Sequence, residues 1–320
     1  MNRIWAIAKN TFTEVVRMPA YAIVLGAALA LIALAPSFTM FTLSENTKLV
    51  KEMGLATVQL AGLLIAALSA SASVSREIES RTATTVLSKP VGRIEFILGK
   101  YLGLVLALGV AFCLLTITLL LAGRHGTLDT VRDKYDWPVI VLGTLALGLA
   151  VLTALVGNYF FGWHFGATAV WAAVPLFALA IFAVCFVGPG WSAHPFGARM
   201  DPQLVLASLL VLLAIVVITA VALAVSTRLK VVGTLVVCAA VLIVGLLSDY
   251  MFGTAAHTNI AARIAYAVVP NFQHFWAGDA VIGATPIPFH YLLRALAYAA
   301  LYSFGALALA LFLFQDRELA

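Results

Sequence analysis

Residues 203–225 read QLVLASLLVLLAIVVITAVALAV, a run without one charged side chain. A helix that crosses a hydrocarbon core of about 30 Å needs about 20 mostly apolar residues, and this run is long enough. Seven more charge-free stretches near that length lie at 20–41, 55–75, 101–122, 138–157, 165–187, 231–248 and 295–314. They are rich in Ala, Leu and Val, and none alternates with the period of two that an outer-membrane barrel requires. The whole chain agrees. Of its 320 residues, 63% are apolar and 10% charged, against roughly 45–50% and about 25% in soluble domains. A water-facing fold would lack polar surface, and a disordered chain would need far more charge. The fold class is therefore all-α. We read a polytopic helical membrane protein with six to eight transmembrane helices, eight favoured, in a single transmembrane domain over 1–320.

The loops orient it. With the N-terminus inside and eight crossings, the inner segments hold 11 of the 19 Lys and Arg and six acids, and the outer segments hold eight of each. The excess of +5 is thus wholly on the inner side. The positive-inside rule then places both termini in the cytosol of an inner, cytoplasmic membrane. Ala33-Leu34-Ala35 has the look of a signal cleavage site, but the basic lead is too long and the apolar run continues to Phe41, so 20–41 is read as the first span.

Residues 1–19 have a pattern of their own. Ile4, Trp5, Ala8, Phe12, Val15 and Val16 recur at helical spacing, with Arg3, Lys9, Asn10, Thr13, Glu14 and Arg17 mostly opposite, and Pro19 ends the pattern. An amphipathic helix in the inner headgroup plane, its cations toward anionic membrane lipid, fits this; a solvated helical lead-in is the alternative.

The eight stretches contain no Asp, Glu, Lys, Arg or His. Ionisable groups inside a bilayer normally mark ion paths, proton relays or voltage sensors, so energy for transport is expected from outside the membrane. No G-x-S-x-G, H-E-x-x-H or G-x-x-x-x-G-K-[ST] occurs, so the usual phosphate cradle for ATP is missing. No catalytic, cofactor or metal residues are assigned. The six histidines show no ligand-pair spacing, and Cys113, Cys185 and Cys238 each sit in an apolar stretch as small hydrophobes. His274, Asp279 and His290 form the one outer set that a lipid-modifying enzyme could use, without a catalytic spacing. Residues 66–75 are nearly all Ala and Ser, suited to a tight helix seam or a path lining. Residues 249–294 form the longest outer loop, where Pro270 precedes an aromatic cluster ending at Trp276. That cluster reads as an interfacial belt or as a short re-entrant or surface helix.

The inner loop 75–100 reads SREIESRTATTVLSKPVGRIEFILGK, dense in charge where the rest of the chain is poor in it. Arg76, Glu77, Ser80 and Arg81 can share a helical face, Pro90 and Gly92 suit a turn, and Ile94 to Lys100 suits a second short helix. Pattern alone allows either a solvated loop or a rigid docking element.

The Glu-x-Glu-x-x-Thr core at Glu77, Glu79 and Thr82, with Leu87-Ser88-Lys89-Pro90-Val91, Arg93 and Gly99-Lys100-Tyr101-Leu102-Gly103, resembles the first cytosolic loop of type-2 ABC exporter permeases. The likeness is greatest to the branch of the nitrous-oxide-reductase maturation and gliding-motility permeases. The opening Ala8-Lys9-Asn10-Thr11-Phe12, Glu14, Arg17 and Pro19, the Ser226-Thr227-Arg228 loop and the tail Gln315-Asp316-Arg317-Glu318 share it. The resemblance implies a permease subunit that pairs with a second permease, identical or different, and docks a separate cytosolic ABC ATPase. Residues 1–19 would be the elbow helix and 75–100 the coupling loop, with Glu77, Glu79, Arg81, Thr82, Lys89, Pro90 and Arg93 as docking contacts. The chain itself would not be an enzyme and would bind no nucleic acid. The family usually has six spans, so 138–157 and 165–187 stand out as a surplus pair. A non-transporting membrane scaffold is the rival reading, and the substrate is not encoded in any motif.

Overall fold

In a bilayer every backbone N–H and C=O of an apolar run must be satisfied within the chain, and a helix does this locally. The computed structural model describes residues 3–38, 46–79, 92–127, 135–197, 199–253, 259–283 and 285–315. Among them, seven helices are long and apolar enough to cross a membrane: α2 (Pro19–Phe38), α3 (Asn46–Glu79), α4 (Arg93–His125), α5 (Trp137–Phe161), α6 (Phe165–Val184), α7 (Pro202–Ser226) and α11 (Phe289–Gln315). They are preceded by α1 (Arg3–Arg17). The apolar stretch 231–248 forms α8 (Val231–Leu246), which has only 16 residues, about 24 Å at the helical rise. Beyond it the chain turns through a π-helical segment, Asp249–Gly253, and a short helix α9 (Ile260–Val268). A 3₁₀ turn Phe272–Phe275 and a final short helix α10 (Gly278–Ile282) lead on toward α11.

Three helices make the centre. α3, α4 and α7 pack on one another, α2 lies in the groove of α3 and α4, α8 lies on α3 and α7, and α11 on α7 and α4. α5 and α6 pack chiefly on each other and touch the rest through α4, α1 and α2. The surplus pair is therefore a peripheral hairpin.

Small residues explain which helices sit inside. Ala66, Ala67, Ser69, Ala70, Ser71 and Ser73 of α3 are all buried, so the 66–75 stretch is a helix seam in this chain. Gly62 of α3 meets Ile215 of α7, whose methyl carbon would lie 2.3 Å from a Cβ there. Gly99 and Gly103 of α4 form a second seat. A Cβ at Gly103 would stand 2.5 Å from the Ala8 carbonyl oxygen and one at Gly99 would stand 2.7 Å from Ile7 Cβ. Without side chains at those two positions, the backbone of α1 rests directly on α4. Ala8, Thr11, Val15 and Val16 of α1 are buried and Trp5 is exposed.

The helix ends far from the α3–α4 loop are tied by polar contacts. Arg124 and Asp136 are both almost wholly buried and pair at 3.2 Å; the same guanidinium donates to the carbonyls of Val184 and Val187. This joins the end of α4 to the two ends of the hairpin that lie away from its turn. Lys51 of α3 pairs with Asp201 at 2.6 Å, and Asp201 also caps α7 by accepting from the Gln203 N–H.

Candidate functional site

The loop expected to dock a partner is rooted where α3 ends and α4 begins. α3 does not stop at the membrane boundary. It is one unbroken helix of 34 residues, about 51 Å long, and its last turns carry Glu77 and Glu79 beyond the apolar span that ends at Val74. Arg93 is the first residue of α4 and is exposed. Arg81, Thr82, Lys89 and Pro90 lie outside the described residues. The short helix expected over Ile94 to Lys100 is the first two turns of α4 itself, which runs unbroken through Gly99 and Gly103 into the span that follows. Gly92 caps it, its N–H donating to Glu95 Oε2 at 3.2 Å, and Glu95 also faces Arg3 at 3.8 Å.

Beneath this root sits Lys100, counted from sequence as a loop cation but 1% exposed. Its Nζ donates to Ser73 Oγ at 2.8 Å, lies 3.9 Å from Glu14 and stands 5.8 Å from the centre of the Phe96 ring. A buried ammonium is tolerated only where carboxylate and hydroxyl oxygens replace water. One side chain thus ties α3, α4 and α1 together directly below the loop. Sequence spacing could not show this, since Glu14, Ser73 and Lys100 meet only in the fold; the one available hint was a lysine flanked by Gly99 and Gly103.

At the end opposite the α3–α4 loop the segment from Asp249 onward folds back onto the bundle. Phe272 and Phe275 are buried against α7 and α8; Gly245 leaves room for Phe272 and for the Pro270 carbonyl, each 2.4 Å from where a Cβ would be. Asp249 accepts from the Tyr266 hydroxyl at 2.7 Å and from Asn271 Nδ2 at 2.6 Å. The Tyr266 hydrogen bond holds the Asp249 carboxyl below the usual range and pushes the Tyr266 hydroxyl up. α10 packs on α3 and α7. Between this cap, α3 and α8 lies a cleft of 610 Å³ lined by Gln59, Leu60, Leu242, Gln273, Trp276 and Asp279 among others. Gln59 is buried there, and among the described residues its Nε2 has no partner, a donor whose desolvation is not offset by them.

The His274, Asp279 and His290 set does not form a unit. His274 packs edge-on against Tyr298, Asp279 lines the cleft and His290 is exposed on the first turn of α11. Among the described residues no three His, Cys, Asp or Glu side chains are placed to hold a metal ion.

Seven long apolar helices around a small-residue centre define a polytopic, all-α membrane protein. Residues 23–231, well over half of the chain, match the family described as ABC-2 family transporter protein. The chain belongs to that family: it is an integral membrane permease component of an ABC transporter, and this family's membrane subunit is not itself catalytic. No curated protein matches it.

Proposed function

We propose that this chain is the permease subunit of an ATP-driven exporter. In this reading a separate cytosolic ATPase docks on the 75–100 loop through Glu77, Glu79, Arg81, Thr82, Lys89, Pro90 and Arg93, and a second permease completes the unit. The observation that carries it is the root of the loop. Two helices run unbroken from the loop into the core, and Lys100 fastens both to α1. Force applied at the loop is then carried into the bundle as rigid movement of α3 and α4, the kind of displacement packed helices use to switch. The elbow role of α1 in the inner headgroup plane, cytosolic termini and residence in the inner membrane belong to the same reading. So does the closeness to the nitrous-oxide-reductase maturation and gliding-motility branch, on the motifs named above. It counts α8 as a crossing, since Leu246 accepts from Gln273 in the outer cap while α7 reaches the same cap through Gln203, which accepts from the Ile287 N–H at 2.8 Å.

The test is affinity purification of the tagged full chain from its native membranes with MgATP hydrolysis as the readout. The wild-type chain is expected to bring down an ATPase. Glu77→Lys with Glu79→Lys is expected to lose it while membrane insertion stays unchanged. Undiminished ATPase recovery with both charges reversed would sink the docking assignment.

A further inference from the structure

The α5–α6 hairpin adds something the six-helix body lacks. Its turn, Gly162 to His164, closes tightly: Gly162 adopts φ +66° and the Trp163 N–H donates to the Gly157 carbonyl. Around it Tyr159, Phe160, Phe161, Trp163 and Phe165 are all exposed. Aromatic side chains gathered at one depth mark a membrane–water interface, so the turn lies at headgroup level. α1 reaches the same place. Phe12 meets Trp171 of α6 edge-on, with ring centres 5.7 Å apart, and α1 ends there at Arg17.

Between α1 and the turn lies a groove of 320 Å³. Arg17, His164, Thr168 and Thr13 supply its polar groups, and Phe12, Trp163 and Trp171 aromatic ones; among the described residues no carboxylate lines it. Arg17 makes no ion pair among the described residues, and Glu14, its nearest acid in sequence, faces Lys100. The first turn of α6 opens beside the groove with no side-chain cap, which adds unsatisfied N–H groups and the positive end of a helix dipole. Cationic and donor groups on one side, aromatic walls on the other, and interfacial depth are together the chemistry of a phospholipid site.

We propose that this groove binds one anionic phospholipid. Its phosphate sits between Arg17 and His164 and its acyl chains run along α6 past Trp171, so that the lipid joins α1 to the hairpin. Placing the lipid in the inner leaflet rests on the cytosolic reading of α1 given above.

The experiment uses the detergent-purified full chain and native mass spectrometry. It is offered phosphatidylglycerol and phosphatidylcholine of the same acyl composition. The wild type is expected to retain one phosphatidylglycerol in preference to phosphatidylcholine. Arg17→Gln with His164→Gln is expected to weaken that binding by about tenfold or more, the worth of a charge-assisted contact, while Arg17→Lys keeps most of it. Equal retention of the two lipids by wild type, or undiminished phosphatidylglycerol on the double variant, would overturn the site. Displacement by millimolar inorganic phosphate would also overturn it, making it a free-anion site. If the double variant aggregates, the comparison of Arg17→Lys with Arg17→Gln decides. Separately, His164→Cys in a chain with Cys113, Cys185 and Cys238 replaced by Ala is treated on intact cells with a membrane-impermeant maleimide. Protection from outside supports the inner leaflet; labelling from outside overturns the cytosolic reading but leaves the lipid result standing by itself.

Discussion

α3 and α5 are both membrane-spanning helices, and by the logic of soluble proteins their places would be exchanged. α3 has the lowest mean hydropathy of the seven long spans and the largest buried share, 67%; α5 is more apolar and only 22% of its span is buried. In water the most apolar element goes inside. In a bilayer the lipid solvates Leu and Val as well as a neighbouring helix does, so apolarity gives no reason to be central. Close approach does. α3 carries Ala, Ser and Gly where it meets α7, whereas α5 turns Leu145, Leu152, Leu155, Tyr159 and Phe160 outward. Hydropathy therefore tells which segments cross, and residue size tells which of them lie at the centre.

The hairpin's polar fastening offers the largest expected effect. Arg124→Met strands Asp136, which is 3% exposed and already has one carboxylate oxygen without a partner among the described residues. We expect a loss of about 3–4 kcal/mol, partly recovered by adding Asp136→Asn, read from unfolding of the detergent-solubilised protein. An unchanged transition would mean the hairpin is held by apolar packing instead. A direct contrast of centre and periphery comes next. Gly103→Val drives a side chain into the α1 backbone and should cost about 3 kcal/mol. Gly148→Val on α5, where no atom lies within 4 Å of the would-be Cβ, should stay within about 0.5 kcal/mol. Similar costs at both positions would remove the distinction drawn here. A smaller loss than at Gly103 is expected at the root of the loop. Lys100→Met takes the ammonium away from Ser73 Oγ and the partly exposed Glu14 and should cost about 2 kcal/mol. Glu14→Gln in the same chain should restore part of it, since the carboxylate that faced the ammonium is then neutral. If the double variant is no better than the single, Glu14 is not Lys100's counter-charge.

Much of this was legible in the sequence, because crossing a membrane is a local property. The charge-free runs appear as helices almost where they were read, and the pair 138–157 and 165–187 that looked surplus is the peripheral hairpin. What stayed hidden depends on distant partners. Arg124 and Asp136 are, by sequence, two loop charges like any others; the burial of Arg124 rests on carbonyls at Val184 and Val187, about 60 residues further on. Lys100 was counted as a loop cation because the Glu14 and Ser73 oxygens that shelter it come from two other helices. Gly99 and Gly103 were noticed for their likeness to a family motif, and their physical task became visible only with α1 resting on them. The stretch 231–248 was read as an ordinary span, yet its helix stops at Leu246, where room must be left for Phe272 and the folded-back cap.

The unbroken length of α3 has a mechanical consequence. Glu77 near one end and Gln59, beside the outer cleft, are 18 residues apart on the same helix, about 27 Å by the helical rise. Between them the helix bears on α7 at Gly62 and Ile215. A stiff rod resting on such a fulcrum cannot be pushed at one end and remain still at the other. In the docking reading proposed above, tilting its loop end would swing Gln59 and Leu60 the other way, and the width of the cleft would report on what happens at the loop.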